Sequence, residues 1–176
     1  REKLEDEILL ELDHKDEFPE ALVREMCEEL GIQLLFIQEE FGGMGGGAFD
    51  VYRICEALAA VDLGVATGVL ATFLGSDPIV FGGTHEQKQR WLGRIAQEGL
   101  LMAYCATEPE AGSDLGALRS QAERVEENGE IVGYRINGSK QWISNGGFAD
   151  LYSVLAIAPH GPSWFIVERG TEGLSF

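Results

Sequence analysis

The chain has 176 residues, with 13 Lys and Arg against 30 Asp and Glu, a net charge of −17 and a pI near 4.4. A nucleic-acid or anionic-membrane face needs a cationic footprint, so that balance excludes both as partners. With 45% hydrophobic and 9% aromatic residues the chain can fill a core and is not disordered, and no apolar run is expected to approach the ~20 residues of a membrane span.

Residues 1–41 hold fourteen acids and four bases, which reads as a solvated helix face. Leu22, Val23, Met26, Cys27 and Leu30 keep helical spacing, with Pro19 at the start and Gly31 as a C-cap. Val51, Ile54, Cys55, Leu58 and Ala59 form a second helical stripe. Thr84 and Gln87 make a capping box ahead of a helix carrying Trp91, Leu92 and Ile95. The first hundred residues therefore read as helical. Beyond Leu100 the signal changes to short apolar runs punctuated by Asn128-Gly129, Asn137-Gly138 and Asn145-Gly146, dipeptides that tolerate the positive φ of a hairpin turn. Leu151–Ala158 and Trp164–Val167 add two more strands. The expected fold is α+β: an all-α domain over 1–100, then an antiparallel β-barrel or sandwich domain over 101–176. The β part is expected to be incomplete at its C-terminal end, with an open edge. A start at Arg1 rather than Met fits a piece of a longer protein, whose missing N-terminus could carry a targeting segment.

Cys27, Cys55 and Cys105 lie 28 and 50 residues apart, and His14, His85 and His160 are equally scattered. No CxxC, HxxxH or HExxH spacing arises, so no metal is expected and the thiols read as reduced, in a cytoplasmic setting. Asn137-Gly138-Ser139 matches a glycosylation sequon but no signal peptide accompanies it. Gly43-Met44-Gly45-Gly46-Gly47-Ala48 satisfies the dinucleotide-binding GxGxxG/A, with Asp62 about 20 residues on. A dinucleotide fold needs a second strand ending at that acid, whereas the helical stripe from Val51 runs to Ala59 without a turn. The segment reads as a glycine-rich connection between helices.

Two segments carry the functional signal. In Tyr104–Asp114 an apolar strand enters a loop of hydroxyls, glycine and acids, whose backbone N–H groups and Thr107 and Ser113 hydroxyls suit the edge of a flat heteroaromatic. In Gln141–Gly147 a Trp on a short strand stands two residues before Ser144, a ring and a hydroxyl that suit a planar cofactor. Together they resemble the acyl-CoA dehydrogenase family of flavoenzymes. Tyr104–Asp114 resembles its signature YCxTEPxAGSD, and Asn137–Gly147 its NGxKxWIxNG. Glu40–Gly45 resembles its helix-connecting loop, and Gly83–Leu92 the segment leading into its middle domain.

The resemblance implies FAD, held by Tyr104, Cys105, Ala106, Thr107, Gly112 and Ser113 and by Trp142, Ile143 and Ser144. It implies Thr107 at the flavin's pyrimidine edge, the Ser144 hydroxyl at N5 where the family more often has Thr, and Trp142 flanking the ring. Ser113 would also meet an acyl-CoA substrate, whose acyl end would lie against Leu70, Phe73 and Leu74. Phe73 is bulky, which favours a short or branched acyl group. The implied reaction is α,β-dehydrogenation of an acyl-CoA thioester. The catalytic base lies in a third domain to which nothing in this chain corresponds, so no catalytic residue is assigned here. Glu110 departs from the family's usual Gly. An electron-transfer protein as acceptor and a homodimer or homotetramer follow from the same resemblance, and the location is expected to be cytoplasmic, or the mitochondrial matrix if a removed targeting segment preceded Arg1. An acyl-CoA oxidase, a nitroalkane-oxidising relative, or a non-catalytic acyl-CoA or flavin-binding module are the alternatives.

Overall fold

A computed structural model describes residues 5–176. Five α-helices come first: α1 (Asp6–Lys15), α2 (Glu20–Leu30), α3 (Ala48–Ala59), α4 (Leu63–Gly82) and α5 (His85–Glu98). Five strands follow: β1 (Met102–Cys105), β2 (Gln121–Glu127), β3 (Glu130–Asn137), β4 (Leu151–Ala158) and β5 (Gly161–Glu168). The α+β division is the expected one.

Local chemistry explains most helix ends. α2 stops where Gly31 takes a left-handed φ of 61° and returns its N–H to the last turn. The Thr84–Gln87 capping box opens α5 reciprocally, at 3.2 and 2.9 Å. Asp62 caps α4, its carboxylate accepting the Val65 N–H at 2.7 Å. The glycine-rich segment joins a 3-10 turn at Glu39–Phe41 to α3, as a connection between helices. Gly43 is required there by close approach, since a Cβ would stand 2.0 Å from the Ile37 carbonyl oxygen.

By length and composition α4 would pass for a membrane span, which corrects the reading of apolar runs. It is instead the central core helix, packed on α2, α3, α5 and β1. Val65 and Val69 join Val23, Met26 and Phe36 beneath α2, and Leu101 enters the same cluster. Ile79, Leu92 and Ile95 pack with Ile37, Phe41, Met102 and Leu151 in a second cluster that spans the helical and β parts. Removing that many apolar side chains from water contributes roughly 1.5–3 kcal/mol each.

The sheet is open among the described residues. β2–β3 and β4–β5 are antiparallel, while β1 pairs in parallel with β4 and β2 meets β4 in parallel at Gln121 and Ile157. Asn128-Gly129, both at positive φ, turns the β2–β3 hairpin as expected. The other two Asn-Gly pairs do not turn hairpins. Asn137 ends β3, and Asn145 lies in an irregular loop between β3 and β4.

Candidate active site

Everything of interest gathers where the loop after β1 meets the loop before β4. β1 is buried between α4 and β4, and its exit carries Ala106, Thr107 and Glu108. The Gln141 N–H donates to the Thr107 carbonyl at 3.0 Å, and the Lys140 ammonium donates to the Ala106 carbonyl at 3.1 Å. The two signature segments are thus laid side by side over Ala106–Glu108 and Lys140–Gln141.

Glu108 is the densest polar node. It is 4% exposed, yet it accepts from Lys140 at 2.7 Å, from the Arg119 N–H at 2.7 Å, from the Ser120 N–H at 3.1 Å and from the Ser120 hydroxyl. Burial alone would push its carboxyl up; the Lys140 and Ser120 side chains and the Arg119 and Ser120 N–H groups outweigh it and hold it down to about 2. Gly138 seats the same junction, because a Cβ there would stand 2.6 Å from Ser120 Cβ and 2.8 Å from its Cα.

From this node the loop 141–150 is pinned twice more. Asn145, buried and at φ 62°, donates its amide to the Gly68 carbonyl of α4 at 2.9 Å and the Met102 carbonyl of β1 at 3.1 Å. Arg24 of α2 reaches across to Asp150 at 2.9 Å and to the Phe148 carbonyl at 2.8 Å. Its guanidinium is held above its usual value, chiefly by the Asp150 hydrogen bond. Phe18 stacks on Phe148 with ring centroids 4.6 Å apart. A loop fixed at Lys140, Asn145 and Phe148–Asp150 can hold the side chains between those points in one place.

Those side chains face outward. Trp142 is 84% exposed at φ 58°, the left-handed region, so it is not on the short strand expected from the sequence. Ser144 and Ser113 are exposed, as is Gly112, around whose Cβ position there is open space. Thr107 and Ile143 are half-buried, and Ala106 is buried. Tyr104 is half-buried against Trp164, with ring centroids 4.7 Å apart, and its hydroxyl is shifted up by burial and then by Asp77. Burial pushes the Cys105 thiol up to about 12, which keeps it protonated. Trp142 is thus an exposed ring two residues from the exposed Ser144, on a loop pinned at Lys140 and Asn145 on either side, an arrangement that fits a planar ligand covering the ring.

The three residues expected at the acyl end lie on α4. Leu70 is half-buried, Leu74 is 45% exposed, and Phe73 packs on Phe36 with centroids 4.5 Å apart. Sequence reasoning missed Asn145 and the Glu108–Lys140 pair as structural partners. Lys140 is the one base in the two motifs, but Glu108 shares its motif with Glu110 and Asp114, so the sequence does not single out the pair.

An α-helical half welded to an open mixed sheet, with both signature loops crossing at the junction, defines the class. Residues 1–99 match the family model of the acyl-CoA dehydrogenase N-terminal domain, and residues 103–176 that of its middle domain. The chain belongs to the acyl-CoA dehydrogenase family. It is 39% identical over 173 residues to cyclohex-1-ene-1-carbonyl-CoA dehydrogenase of Geobacter metallireducens, covering 95% of this chain and 44% of that protein. It is 34% identical over 171 residues to a probable mitochondrial medium-chain specific acyl-CoA dehydrogenase 2 of Caenorhabditis briggsae, covering 93% and 40%. A crystal structure of an acyl-CoA dehydrogenase from Bacillus anthracis complexed with FAD superposes with a TM-score of 0.81 at 37% identity, over 97% of this chain and 29% of that one. The chain spans less than half the length of these relatives.

Proposed function

We propose that the whole protein is an FAD-dependent acyl-CoA dehydrogenase, to which this chain contributes the helical and middle β parts (1–100 and 101–176). The observation that carries the reading is the exposed Trp142 and Ser144 on a loop pinned at three points, beside the Thr107 segment. Tyr104, Cys105, Ala106, Thr107, Gly112, Ser113, Trp142, Ile143 and Ser144 would hold the flavin. When bound, the flavin supplies a hydride acceptor for the β carbon of the thioester. Trp142 orients the ring by covering one face and excludes water from it. The Ser144 and Thr107 hydroxyls offer directed hydrogen bonds to the ring's polar edge, and Ser113 to the substrate. No carboxylate of this chain is assigned the α proton; the resemblance puts that base in a further domain. An electron-transfer protein as acceptor, a homo-oligomeric assembly and a cytoplasmic or mitochondrial-matrix location complete the proposal.

The whole protein is expected to purify yellow with FAD rather than FMN. Trp142 fluorescence should be quenched in the holoprotein and recover when FAD is stripped, with Trp142→Phe isolating its share from Trp91 and Trp164. A colourless protein that takes up no FAD sinks the assignment; an equal recovery in Trp142→Phe removes Trp142 from the site.

The acyl end gives a further expected result. With Leu70, Phe73 and Leu74 as its apolar floor, Phe73→Ala should move the preferred acyl chain upward by several carbons, because each buried methylene contributes ~0.8 kcal/mol. Chain-length profiles of kcat/KM check this. A less stable variant with an unaltered profile would assign Phe73 to the helical core with Phe36 and nothing more.

A further inference from the structure

We propose that the buried Glu108–Lys140 pair is the positioning device of the site, setting the spacing between the Thr107 segment and the Trp142–Ser144 loop; this rests on the flavin reading above. The side chains of Glu108 and Lys140 are only 2% and 12% exposed. Desolvating two charges consumes most of what their attraction returns, so a buried pair is a weak device for stability alone. Its geometry is what distinguishes it. Glu108 Oε1 accepts from Lys140, the Ser120 hydroxyl and the Ser120 N–H, while Oε2 accepts from the Arg119 N–H. Lys140 donates in addition to the Ala106 carbonyl at 3.1 Å. Rotating either side chain therefore breaks several hydrogen bonds together.

The placement matters as much as the bonding. Lys140 grips Ala106 and Glu108, the two residues flanking Thr107, while the next residue, Gln141, binds the Thr107 carbonyl itself. Trp142 follows directly, in the left-handed backbone region that is uncommon for a bulky aromatic residue. A shift at Lys140 is thus transmitted to Thr107 on one side and to Trp142 and Ser144 on the other. Glu108 and Lys140 act through those residues, as positioning groups.

The test uses the whole protein loaded with FAD. Glu108→Gln keeps the shape and an acceptor oxygen but removes the charge that holds Lys140. The expected result is a shifted visible flavin spectrum and reduction potential, weaker FAD retention, and reduction by butyryl-CoA or octanoyl-CoA slowed about 10- to 100-fold, the scale of an ångström's misplacement. Substrate Kd should change less than about 3-fold, well under the ~1.4 kcal/mol of a tenfold effect. Ser120→Ala, which leaves the ion pair in place, should move the same readouts in the same direction by a smaller amount, and it carries the test if Glu108→Gln does not fold. A folded variant that melts lower but keeps the parent's spectrum, potential and reduction rate overturns the positioning role while leaving the flavin reading intact. A parent protein that takes up no FAD overturns both.

Discussion

Lys140→Met is expected to lower stability at neutral pH by about 3–5 kcal/mol, enough to threaten a domain whose whole margin is about 5–15 kcal/mol. The apolar replacement fills much of the lysine's volume, so the loss would not come from a cavity. It comes from leaving the Glu108 carboxylate buried with only Ser120 and the Arg119 N–H to satisfy it. The same pair gives a signed pH dependence. The folded-state carboxyl of Glu108 is depressed from an ordinary 4.5 to about 2. Its stabilisation is therefore complete above about pH 4.5 and is lost as pH falls through about 2, a term on the order of 3 kcal/mol. Denaturant melts of parent, Lys140→Met and Glu108→Gln at neutral pH and near pH 3 check both statements. A loss below about 1 kcal/mol for Lys140→Met, or an acid limb unchanged in Glu108→Gln, would show that the pair contributes little.

The elements whose causes are local were legible in the sequence. α2 and α5 carry an apolar stripe with a cap at one end, and the structure places Gly31 and Thr84 at those caps. Asp62 shows the limit of such reading. As the acid twenty residues past a glycine motif it mimics a ribose ligand, but its carboxylate is spent on capping α4. The Asn-Gly signal was fully right at Asn128-Gly129 alone: at Asn145-Gly146 only the Asn takes a positive φ, and at Asn137-Gly138 neither residue does. Asn145 does take a positive φ, yet its amide is buried between α4 and β1 rather than turning a hairpin. Nothing in the dipeptide itself distinguishes Asn128 from Asn145; the difference lies in what packs above each.

The parallel pairing of β1 with β4 was not legible at all. Met102 pairs with Leu151, and no turn signal marks a contact between segments so far apart in sequence. The site followed the same division. Residue types and order pointed to Thr107, Ser113, Trp142 and Ser144, but how those segments lie together depends on Glu108, Lys140, Asn145 and Arg24. Those four act across elements, and Trp142's left-handed backbone is the local sign of that long-range constraint. A strand assignment for Trp142 fails because tertiary pins at Lys140 and Asn145 outweigh the β preference of an aromatic residue.

Gly75→Val is expected to lower stability by about 3 kcal/mol, the upper range for overpacking a closed interface. Gly75 lies on the face of α4 that touches β1, where a Cβ would stand 2.7 Å from Met102 Cβ and 3.2 Å from the Ala103 backbone. Neither contact is the free end of a flexible chain, so helix and strand must part. Parting them strains the Thr72 hydroxyl that accepts from the Met102 N–H at 3.2 Å, the Ser153 hydroxyl that donates to the Gly75 carbonyl, and the Asn145 bridge one turn or two away. Gly82 in the last turn is the control, with nothing within 4 Å of a built Cβ. Gly82→Ala should gain up to about 1 kcal/mol from helix propensity alone. Opposite signs for the two substitutions in thermal melts would show that α4 carries Gly75 for the approach of β1. A stable Gly75→Val would mean that the α4–β1 interface yields, and that the loop through Asn145 is held less firmly than its hydrogen bonds imply.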